Sequence, residues 1–508
     1  MDRGISVESA LVRDSRYVAK AIRIGPALGG RVDRVDSQEV STPKKLSNEK
    51  ERCLTYLGTR VLLVGFGVLA REILRSLEQS EITVVGVIDD GTPIVPDHLE
   101  FLGPISALPD VLEQGSCDAV IVAASLIPSK TIAWLTEQAH RFHVPITIAP
   151  ERVEVSSLGS VHEITREPRI DDMFARSSLK VDYEQIDREV TGRRILVTGA
   201  GGSIGSEVVR QLHESGAKQI GLLDRDDCLM HDLVVRLSGR MHDTRLPLLH
   251  ADIQHAGQLH RAFLQFKPDT VIHAAALKHV TTLEANPINA LTINVGGTAN
   301  VLEACENFSV DRLVNVSTDK AATRISCLGM SKYIGERMVE GVGLPGYRSV
   351  RFSNVFGSRA SVLHAFRLQA RHHGQVIVRG DGPSRFFMTV GEAASLILST
   401  LGQTGGCGTY VMDMGNPVAI HNLAVAVIEE LGGLASIHHE ALGDGEFESE
   451  RLFATTEIPE ATSIEGVFKV NTEPLDRQVV ESMMQSLGDV YGLDDETVRQ
   501  HLREIASI

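Results

Sequence analysis

The stretch Ile195-Leu196-Val197-Thr198-Gly199-Ala200-Gly201-Gly202-Ser203-Ile204-Gly205 decides the fold of this chain. Its first residues are apolar and predict a buried strand, and the residues from Glu207 to Leu212 open a helix. Between the strand and the helix, Gly199, Gly202 and Gly205 recur at every third position. A turn without side chains allows backbone N–H groups to approach a pyrophosphate at a helix N-terminus. The stretch therefore predicts the dinucleotide-binding turn of a Rossmann-like domain.

The strands that follow this turn supply further candidate contacts to the dinucleotide. The second strand, Ile220–Leu223, ends at Asp224, whose carboxylate is placed to accept hydrogen bonds from the adenosine ribose. Asp252 and Ile253 come just past the third strand and are placed to hold the adenine. Because a carboxylate repels the additional phosphate of NADP, Asp224 favours NAD. The adjacent Arg225 could offset that repulsion, which leaves NADP open.

A similar but weaker unit lies upstream. Val61–Val64 predicts a strand, Gly65-Phe66-Gly67 a turn and Leu69–Leu77 a helix, and the next strand ends at Asp89-Asp90. No catalytic grouping follows this unit. We therefore expect a Rossmann-shaped domain used for assembly or regulation rather than a second cofactor site, and a homo-oligomeric protein.

Strands and helices alternate in both regions, which predicts parallel sheets covered on both faces. The predicted fold class is α/β, with two tandem Rossmann-like, doubly wound parallel-sheet domains and a smaller mixed α/β substrate-binding lobe. Near the C-terminus, two apolar stripes at helical spacing predict core contacts: Val479, Met483 and Leu487, then Val498, Leu502 and Ile505. The predicted divisions are a poorly ordered arm (1–56), the first Rossmann-like domain (57–150), a connecting segment (151–191), the catalytic Rossmann domain (192–355), the interleaved lobe (356–470) and C-terminal helices (471–508).

Composition limits the classes of function. The chain has 508 residues, enough for roughly 2–4 domains, and a net charge of −16. That charge argues against nucleic acid or a membrane surface as partners. The six cysteines form no Cys-x-x-Cys pair, so we expect reduced thiols and no metal site. Neither a signal-peptide pattern nor an apolar run of about 18 residues occurs, so we expect a soluble, cytoplasmic protein.

Several longer motifs together point to one family. They are Ile195–Gly205, His273–Val280, Asn294–Thr298, Ser317–Lys320, Arg351–Val355, Arg385–Thr389 and Val411–Gly415. With these motifs the chain resembles the extended short-chain dehydrogenase/reductases, and among them the polysaccharide-biosynthesis nucleotide-sugar 4,6-dehydratases acting on UDP-N-acetylglucosamine. Val64–Gly67 and Val87–Asp90 are similar to the extra domain of the family's long members. Many long members carry transmembrane helices before that domain, where this chain has a polar arm.

The resemblance implies a reaction and a set of residues for it. A hydride leaves sugar C4 for the nicotinamide, water is lost across C5 and C6, and the hydride returns to C6. The resemblance implies that Thr318 binds O4, Asp319 is the acid at O6 and Lys320 the base at C5. The ordinary lysine pKa of about 10.4 must then be lowered, and we expect Lys332 and the nicotinamide charge to lower it.

The resemblance also extends the list of binding residues, with Lys332 holding the nicotinamide ribose. The predicted cofactor-binding residues are Gly199, Gly202, Ser203, Ile204, Gly205, Asp224, Arg225, Asp252, Ile253, Ala274, Ala275 and Lys332. The predicted binding residues for a UDP-sugar substrate are Lys278, His279, Asn354, Arg359 and Arg385.

Two positions depart from the family pattern. Four residues before Lys332 the family has Tyr, or Met in one branch, and this chain has Leu328. The family's Arg-Pro-Gly-Glu-Lys is replaced by Gly443-Asp444-Gly445-Glu446-Phe447, which removes an arginine expected near the diphosphate. Arg359, Arg367 and Arg385 are candidates to replace it. These departures favour a non-catalytic nucleotide-binding regulator as one alternative to the dehydratase. An NDP-sugar epimerase, which uses the same transient oxidation, is the other.

Overall fold

The computed structural model describes residues 60–77, 82–91, 93–123, 127–149, 168, 170–174, 181–403, 405–488 and 490–508. The predicted N-terminal arm, 1–56, lies outside these residues, as does most of the predicted connecting segment, 151–191.

The first sheet is built from a contiguous part of the chain. Its strands are β1 (Arg60–Val64), β2 (Thr83–Ile88), β3 (Phe101–Gly103), β4 (Ala119–Val122) and β5 (Ile146–Ile148). The helices beside them are α1 (Val68–Leu77), α2 (Leu108–Glu113) and α3 (Ser129–Arg141), with a 3-10 turn at Ile105–Ala107. All neighbouring strands are parallel, in the order β3-β2-β1-β4-β5. Separate apolar clusters fill the two sides of this sheet, as a parallel sheet covered on both faces requires.

The turn of the first unit is closed by an aspartate. Asp89, just after β2, accepts the Phe66 N–H at 2.7 Å and the Gly91 N–H at 2.7 Å. Gly65 in this turn has φ +87°, a left-handed conformation that favours glycine. The glycine at position 65 and the aspartate at position 89 are therefore explained by the structure of this turn, without a bound ligand.

The rest of the chain alternates between strands and helices up to about residue 352 and then becomes mixed. Its strands are β6 (Arg194–Thr198), β7 (Gln219–Asp224), β8 (Leu248–His250), β9 (Thr270–His273), β10 (Arg312–Thr318), β11 (Tyr347–Phe352), β12 (Asn354–Phe356), β13 (Gln375–Arg379), β14 (Ser384–Arg385), β15 (Phe387–Thr389), β16 (Thr409–Met412), β17 (Val418–Ala419), β18 (Ser436–Glu440), β19 (Glu460–Ala461) and β20 (Val467–Val470). Its helices are α4 (Ile170–Phe174), α5 (Tyr183–Val190), α6 (Ser203–Glu214), α7 (Asp227–Ser238), α8 (Ala256–Phe266), α9 (Val280–Ala285), α10 (Pro287–Asn289), α11 (Gly297–Asn307), α12 (Lys320–Thr323), α13 (Cys327–Val342), α14 (Val362–His373), α15 (Val390–Thr400), α16 (Ile420–Glu430), α17 (Arg477–Ser486) and α18 (Asp495–Ser507). A π-helical segment, Ala290–Gly296, joins α10 to α11, and a 3-10 turn spans Val490–Gly492.

Among the described residues, the second sheet has nine strands in the order β19-β20-β16-β11-β10-β9-β6-β7-β8. The strands from β16 to β8 are parallel, whereas β20 and β19 run antiparallel to their neighbours. From β6 the chain adds β7 and β8 towards one edge of the sheet, and it then adds β9 and β10 on the other side of β6. Ligands of such sheets bind at the carboxyl ends of the strands beside this change in strand order, here β6 and β9. The fold class predicted from the sequence, two Rossmann-like parallel sheets and a smaller lobe, is confirmed.

The smaller lobe is formed by short strand pairs and two helices. The pairs are β12 with β15, β13 with β18, and β14 with β17. Phe356, Phe366 and Leu423 lie in its apolar core with at most 4% of their surface exposed. Strands β16 and β20 come from the region predicted as lobe, yet they extend the main sheet. The lobe and the main sheet are therefore interleaved in sequence.

The C-terminal helices pack on the side of the main sheet that carries α13. Val498, Leu502 and Ile505 of α18 are buried in its core cluster, as their spacing predicts. The prediction for α17 is wrong in one position, because Val479 is 41% exposed and the adjacent Val480 is buried. Helix α17 begins at Arg477. Three apolar residues at helical spacing were too few to predict which face of this helix is buried. Among the described helices, none is both long enough and apolar enough to span a bilayer.

Candidate active site

The glycine turn between β6 and α6 has the close packing that its sequence implies. Gly199 has φ +68°, and a Cβ there would lie 2.7 Å from the Ala275 backbone nitrogen. A Cβ at Gly205 would overlap the carbonyl oxygen of Gly199, and one at Gly202 would lie 3.0 Å from that same oxygen. Ala274 and Ala275 follow β9 and donate their N–H groups to Thr198 at 3.1 and 3.3 Å. These residues leave a narrow backbone-lined cradle at the N-terminus of α6.

Asp224 lies at the end of β7 beside this cradle. Its carboxylate accepts the N–H of Gly201 at 2.9 Å and that of Asp226 at 3.1 Å. Arg225, also predicted to bind the cofactor, lies 3.8 Å from Asp252. The Ile253 side chain is 5% exposed and packs against Gly297 of α11, where a Cβ would lie 2.5 Å away. The structure thus brings Asp224, Arg225 and Asp252 together, while the Ile253 side chain belongs to the core.

The predicted substrate residue Arg359 lies at the glycine turn. Its guanidinium donates to the Gly201 carbonyl oxygen, and its backbone N–H donates to the Ser203 hydroxyl at 3.0 Å. Lys278 donates to the Arg359 carbonyl at 2.8 Å and to the Ser358 hydroxyl at 3.2 Å. Ile204 is half-buried against the core beneath the turn. The structure therefore groups Arg359 with the predicted cofactor residues.

A short cluster of ionisable residues stands where β10 ends. Thr318 is the last residue of β10, and its hydroxyl donates to Asp319 Oδ1 at 3.0 Å. Lys320 begins α12, and its Nζ lies 3.2 Å from Asp319 Oδ1. The Asp319 side chain is fully buried and that of Lys320 is 19% exposed. Thr318, Asp319 and Lys320 therefore share the carboxyl end of the sheet with the predicted dinucleotide cradle.

A fourth ionisable residue, Glu450, joins this cluster and was missed from the sequence. Glu450 Oε1 lies 2.6 Å from Lys320 Nζ and 3.3 Å from Arg385 Nε. Its other oxygen accepts from Asn354 Nδ2 at 2.7 Å. Asn354 and Arg385, both predicted to bind the substrate, thus meet on one carboxylate. In the sequence, nothing distinguished Glu450 from Glu446 and Glu448 in the same acidic stretch.

The protonation of the cluster follows from burial and charge. Burial, reinforced by the charge of Glu450 and opposed by that of Lys320, raises the pKa of Asp319 to about 7. Burial lowers the pKa of Lys320, but the charges of Asp319 and Glu450 outweigh it and raise that pKa above its usual range. Burial also acts to raise the pKa of Glu450, but Lys320 dominates and holds it at about 2. Of the two carboxyls, Asp319 holds its proton to the higher pH, up to about pH 7, whereas Glu450 stays ionised beside a charged Lys320; above about pH 7 both carboxylates adjoin Lys320.

Lys332 lies on α13, inside the core. Burial lowers the pKa of this lysine to about 8, against the opposing charge of Glu336 one turn later. The expectation that Lys332 lowers the pKa of Lys320 is wrong, because carboxylates adjoin Lys320 and raise its pKa.

Leu328, one turn before Lys332, is 4% exposed. Tyr333 stacks under the Arg324 guanidinium, 4.2 Å from its ring centre.

The π-helical segment Ala290–Gly296 is hydrogen-bonded both to the loop after β9 and to α13, the helix that carries Lys332. Asn294 Oδ1 accepts the Leu277 N–H at 2.9 Å, and its Nδ2 donates to the Leu277 carbonyl and to Ser331 Oγ, both at 3.1 Å. His279, just beyond this loop, precedes α9, and burial followed by the charge of Lys278 lowers its pKa. The Asn294 side chain thus fixes the spacing between the strand-end loop and α13.

Comparison with known proteins identifies the family. A family model described as polysaccharide biosynthesis protein matches residues 195–472, more than half of the chain. The chain belongs to this polysaccharide biosynthesis protein family. The family-level prediction made from the motifs is therefore confirmed.

Individual relatives agree with this assignment. The capsular polysaccharide biosynthesis protein CapD of Staphylococcus aureus is 30% identical over 447 residues, covering 84% of this chain and 74% of CapD. A UDP-glucose 4-epimerase of Rickettsia prowazekii is 27% identical over 330 residues, 62% of this chain and 95% of that protein. The X-ray structure of Pen from Bacillus thuringiensis covers 58% of this chain and 98% of Pen, at 23% identity and a TM-score of 0.51. That last likeness shows the fold alone.

Within this polysaccharide biosynthesis family member, the altered loop at Gly443 has another arginine nearby. A side chain at Gly443 would begin 3.6 Å from Arg379 Nη1, and Arg379 also lies 3.6 Å from Glu446. Of the arginines considered from the sequence, Arg367 pairs with Glu430 at 3.0 Å on the lobe surface. Arg379 was missed because it lies in β13, more than sixty residues before the loop.

Proposed function

We propose that this protein is an NAD-dependent nucleotide-sugar 4,6-dehydratase acting on UDP-N-acetylglucosamine or a related UDP-sugar. The observation that carries the proposal is the buried pair Asp319 and Lys320 at the carboxyl end of β10, next to the glycine cradle. A 4,6-elimination requires an acid and a base a few ångströms apart, one at the leaving oxygen and one at C5. The distance of 3.2 Å between Lys320 Nζ and Asp319 Oδ1 suits two positions on adjacent sugar carbons.

The glycine cradle fits a dinucleotide. Gly199 and Gly205 admit no Cβ, and Gly202 admits one only if the turn shifts, which leaves the α6 N-terminus open to a pyrophosphate. Asp224 at the end of β7 suits the ribose of NAD and disfavours the additional phosphate of NADP. When bound there, the nicotinamide would accept a hydride from the sugar and later return it. Lys332 would hold the nicotinamide ribose.

The residues of the chain supply the acid–base part of the reaction. Asp319, with its pKa raised to about 7, retains a proton near neutral pH and can donate it to O6. Thr318 would bind O4 from the end of β10. Lys320 would remove the C5 proton, and for this it must first lose the proton that its carboxylate neighbours favour. UDP-sugar contacts are proposed for Lys278, His279, Asn354 and Arg385. A UDP-sugar contact is also proposed for Arg359, which lies between the glycine turn and Lys278 and would adjoin the cofactor as well.

One experiment tests this function. Purified protein with NAD is incubated with UDP-N-acetylglucosamine, and the products are followed by NMR. We expect a 4-keto-6-deoxy product with a new methyl signal. An untouched substrate, or a product changed only in configuration at C4, would contradict the dehydratase.

A 4-epimerase is the second candidate, and the relative from Rickettsia prowazekii named as a UDP-glucose 4-epimerase supports it. The charged state of Lys320 also fits an epimerase, which needs no base at C5. Against it, an epimerase needs no acid at O6, yet burial raises the pKa of Asp319 to about 7, so this carboxyl can hold a proton there. The same NMR experiment separates the two activities, and binding of a UDP-sugar without any turnover would indicate a regulator.

A further inference from the structure

Glu450 reaches the proposed catalytic pair from a distant part of the chain. It lies in the connection between β18 and β19, and its side chain is 5% exposed. Its carboxylate contacts Lys320 at 2.6 Å, Asn354 at 2.7 Å, Ser353 at 3.2 Å and Arg385 at 3.3 Å. All four partners belong to, or adjoin, the site proposed above.

Ser353 links Glu450 to Asp319. The Ser353 hydroxyl is bonded to Asp319 Oδ2 and lies 3.2 Å from Glu450 Oε2. Because Lys320 contacts both carboxylates, the four side chains form a closed ring: Lys320 to Glu450, Glu450 to Ser353, Ser353 to Asp319, and Asp319 back to Lys320. A hydroxyl both donates and accepts, so Ser353 can pass a proton between the two carboxylates.

The connection that carries Glu450 is anchored by other groups. Glu448 accepts the N–H groups of Asp381 and Gly382 at 3.0 and 3.2 Å. Arg385 Nη2 donates to the Phe447 carbonyl at 2.6 Å, and the Ser384 N–H donates to the Glu448 carbonyl at 2.8 Å. The carboxylate of Glu450 is therefore available for a role in the ring itself.

We propose that Glu450 is a positioning residue for the reaction, which takes up the Lys320 proton before water elimination and returns a proton to Asp319 through the Ser353 hydroxyl afterwards. This inference rests on the proposed dehydratase function. It explains how a lysine held between two carboxylates becomes a base.

The protons balance around the ring. At rest Lys320 is charged, Glu450 is ionised and Asp319 is protonated. When bound sugar excludes water, a proton moves from Lys320 to Glu450, because a dry site disfavours separated charges. Neutral Lys320 then takes the C5 proton, the C5–H electrons form the C5=C6 double bond as the C6–O6 bond breaks, and Asp319 gives its proton to the O6 hydroxyl, which leaves as water. Glu450 finally reprotonates Asp319 through Ser353, so the elimination itself needs no external proton donor. As the hydride returns to C6, charged Lys320 gives its proton to C5 and then regains one from solvent, which took up the O4 proton when C4 was oxidised.

The first test uses the full-length protein without substrate. Acetic anhydride modifies neutral amines, so the pH dependence of Lys320 acetylation, followed by mass spectrometry, reports its protonation. An opposite charge within a few ångströms shifts a pKa by about 1–3 units, so Glu450→Gln should acetylate Lys320 about 10-fold faster or more near pH 8. Glu450→Asp keeps the charge and should react less than Glu450→Gln. Unchanged acetylation in Glu450→Gln would overturn the proposal.

Glu448→Gln is the matched control. It removes a charge from the same connection, two residues away and outside the ring, and should leave Lys320 acetylation as in wild type. If Glu448→Gln reproduces the effect of Glu450→Gln, the effect comes from loosening of the connection and the proposal is wrong.

The second test addresses the return of the proton. Ser353→Ala should acetylate Lys320 as wild type does, yet with UDP-N-acetylglucosamine it should form one product per site quickly and then slow by about 10²-fold, as Asp319 waits for a proton. A steady rate equal to its first turnover would overturn the relay while the dehydratase function stands. A wild type that converts no UDP-sugar would overturn the dehydratase and the relay together, whatever the acetylation result.

Discussion

At the scale of single residues, the proposed chemistry depends on which group holds a proton. The location of Thr318, Asp319 and Lys320 could be predicted from the sequence, because residues at the carboxyl end of a buried parallel strand lie at the edge of the sheet where ligands bind. Their protonation could not be predicted, because it is set by Glu450, which follows Lys320 by 130 positions and lies outside any periodic pattern.

Removal of the proposed base should separate the two halves of the reaction. In Lys320→Ala, C4 oxidation needs only the O4 and nicotinamide contacts, so NADH should accumulate on adding substrate while no 4-keto-6-deoxy product is released. Asp319→Asn should stall at the same stage, because an amide cannot donate a proton to O6. NADH fluorescence and product NMR measure the two halves, and a general acid or base is worth about 10²–10⁴-fold in rate. Turnover of Lys320→Ala within a few-fold of wild type would refute the mechanism.

The raised pKa of Asp319 predicts how stability depends on pH. The folded state binds this proton up to about pH 7, whereas an unfolded aspartate releases it near pH 3.9. The proton's contribution to the free energy of unfolding is therefore complete below about pH 3.9 and is lost as the pH rises through about 7.

Denaturant titrations of wild type and Asp319→Asn, in parallel across this pH range, measure that contribution. The amide of the variant cannot titrate, so the stability of wild type relative to the variant should decrease as pH increases and level off above about pH 7. A difference that does not change with pH would show that Asp319 keeps no proton in the folded protein.

At the scale of secondary-structure elements, the glycine turn could be predicted most completely. The close contacts of Gly199 with Ala275, and of Gly205 with Gly199, are the geometry that the spacing of the glycines implies. The orientation of α17 could not be predicted, because Val479 and Val480 are both apolar and the choice between them depends on the surface that α17 meets.

Substitution in the turn should remove the dinucleotide without unfolding the protein. Gly202 has an ordinary φ of −66°, so valine can adopt its backbone, but a Cβ there would lie 3.0 Å from the Gly199 oxygen and the side chain would occupy the cradle. Gly202→Val should therefore show no measurable NAD binding by calorimetric titration while keeping its circular dichroism spectrum. Gly257→Val is the control, because a Cβ at Gly257 meets nothing within 4 Å, and it should bind NAD as wild type does. Unchanged affinity in Gly202→Val would show that the dinucleotide binds elsewhere.

At the scale of the whole molecule, two sheets could be predicted because the strand–turn–helix pattern begins twice. The composition of the second sheet could not, because β16 and β20 are separated from the other strands by lobe segments. Strand β20 also runs antiparallel, and a short apolar run does not reveal its direction.

The second sheet takes no strand from the described residues before Arg194, which predicts independence of the first domain. A protein lacking residues 1–150 should fold and bind NAD with wild-type affinity, because α4 and everything after it are retained. Thermal melting and NAD titration measure this, and size-exclusion chromatography shows whether assembly changes. An insoluble product, or one that binds no NAD, would show that the two domains depend on each other.

The late position of β20 has a consequence for synthesis on the ribosome. In the part of the chain that the structure describes, the five strands of the first sheet lie between Arg60 and Ile148, so that sheet can form as soon as Ile148 has left the exit tunnel. The second sheet has an open edge at β16 until Val467–Val470 emerge, and at about 5–20 residues per second that interval lasts seconds. During those seconds the nascent chain exposes an unpaired edge to its neighbours on the same message. Slowing of translation between Met412 and Val467 should therefore increase aggregation of the nascent protein, whereas slowing after Val470 should not.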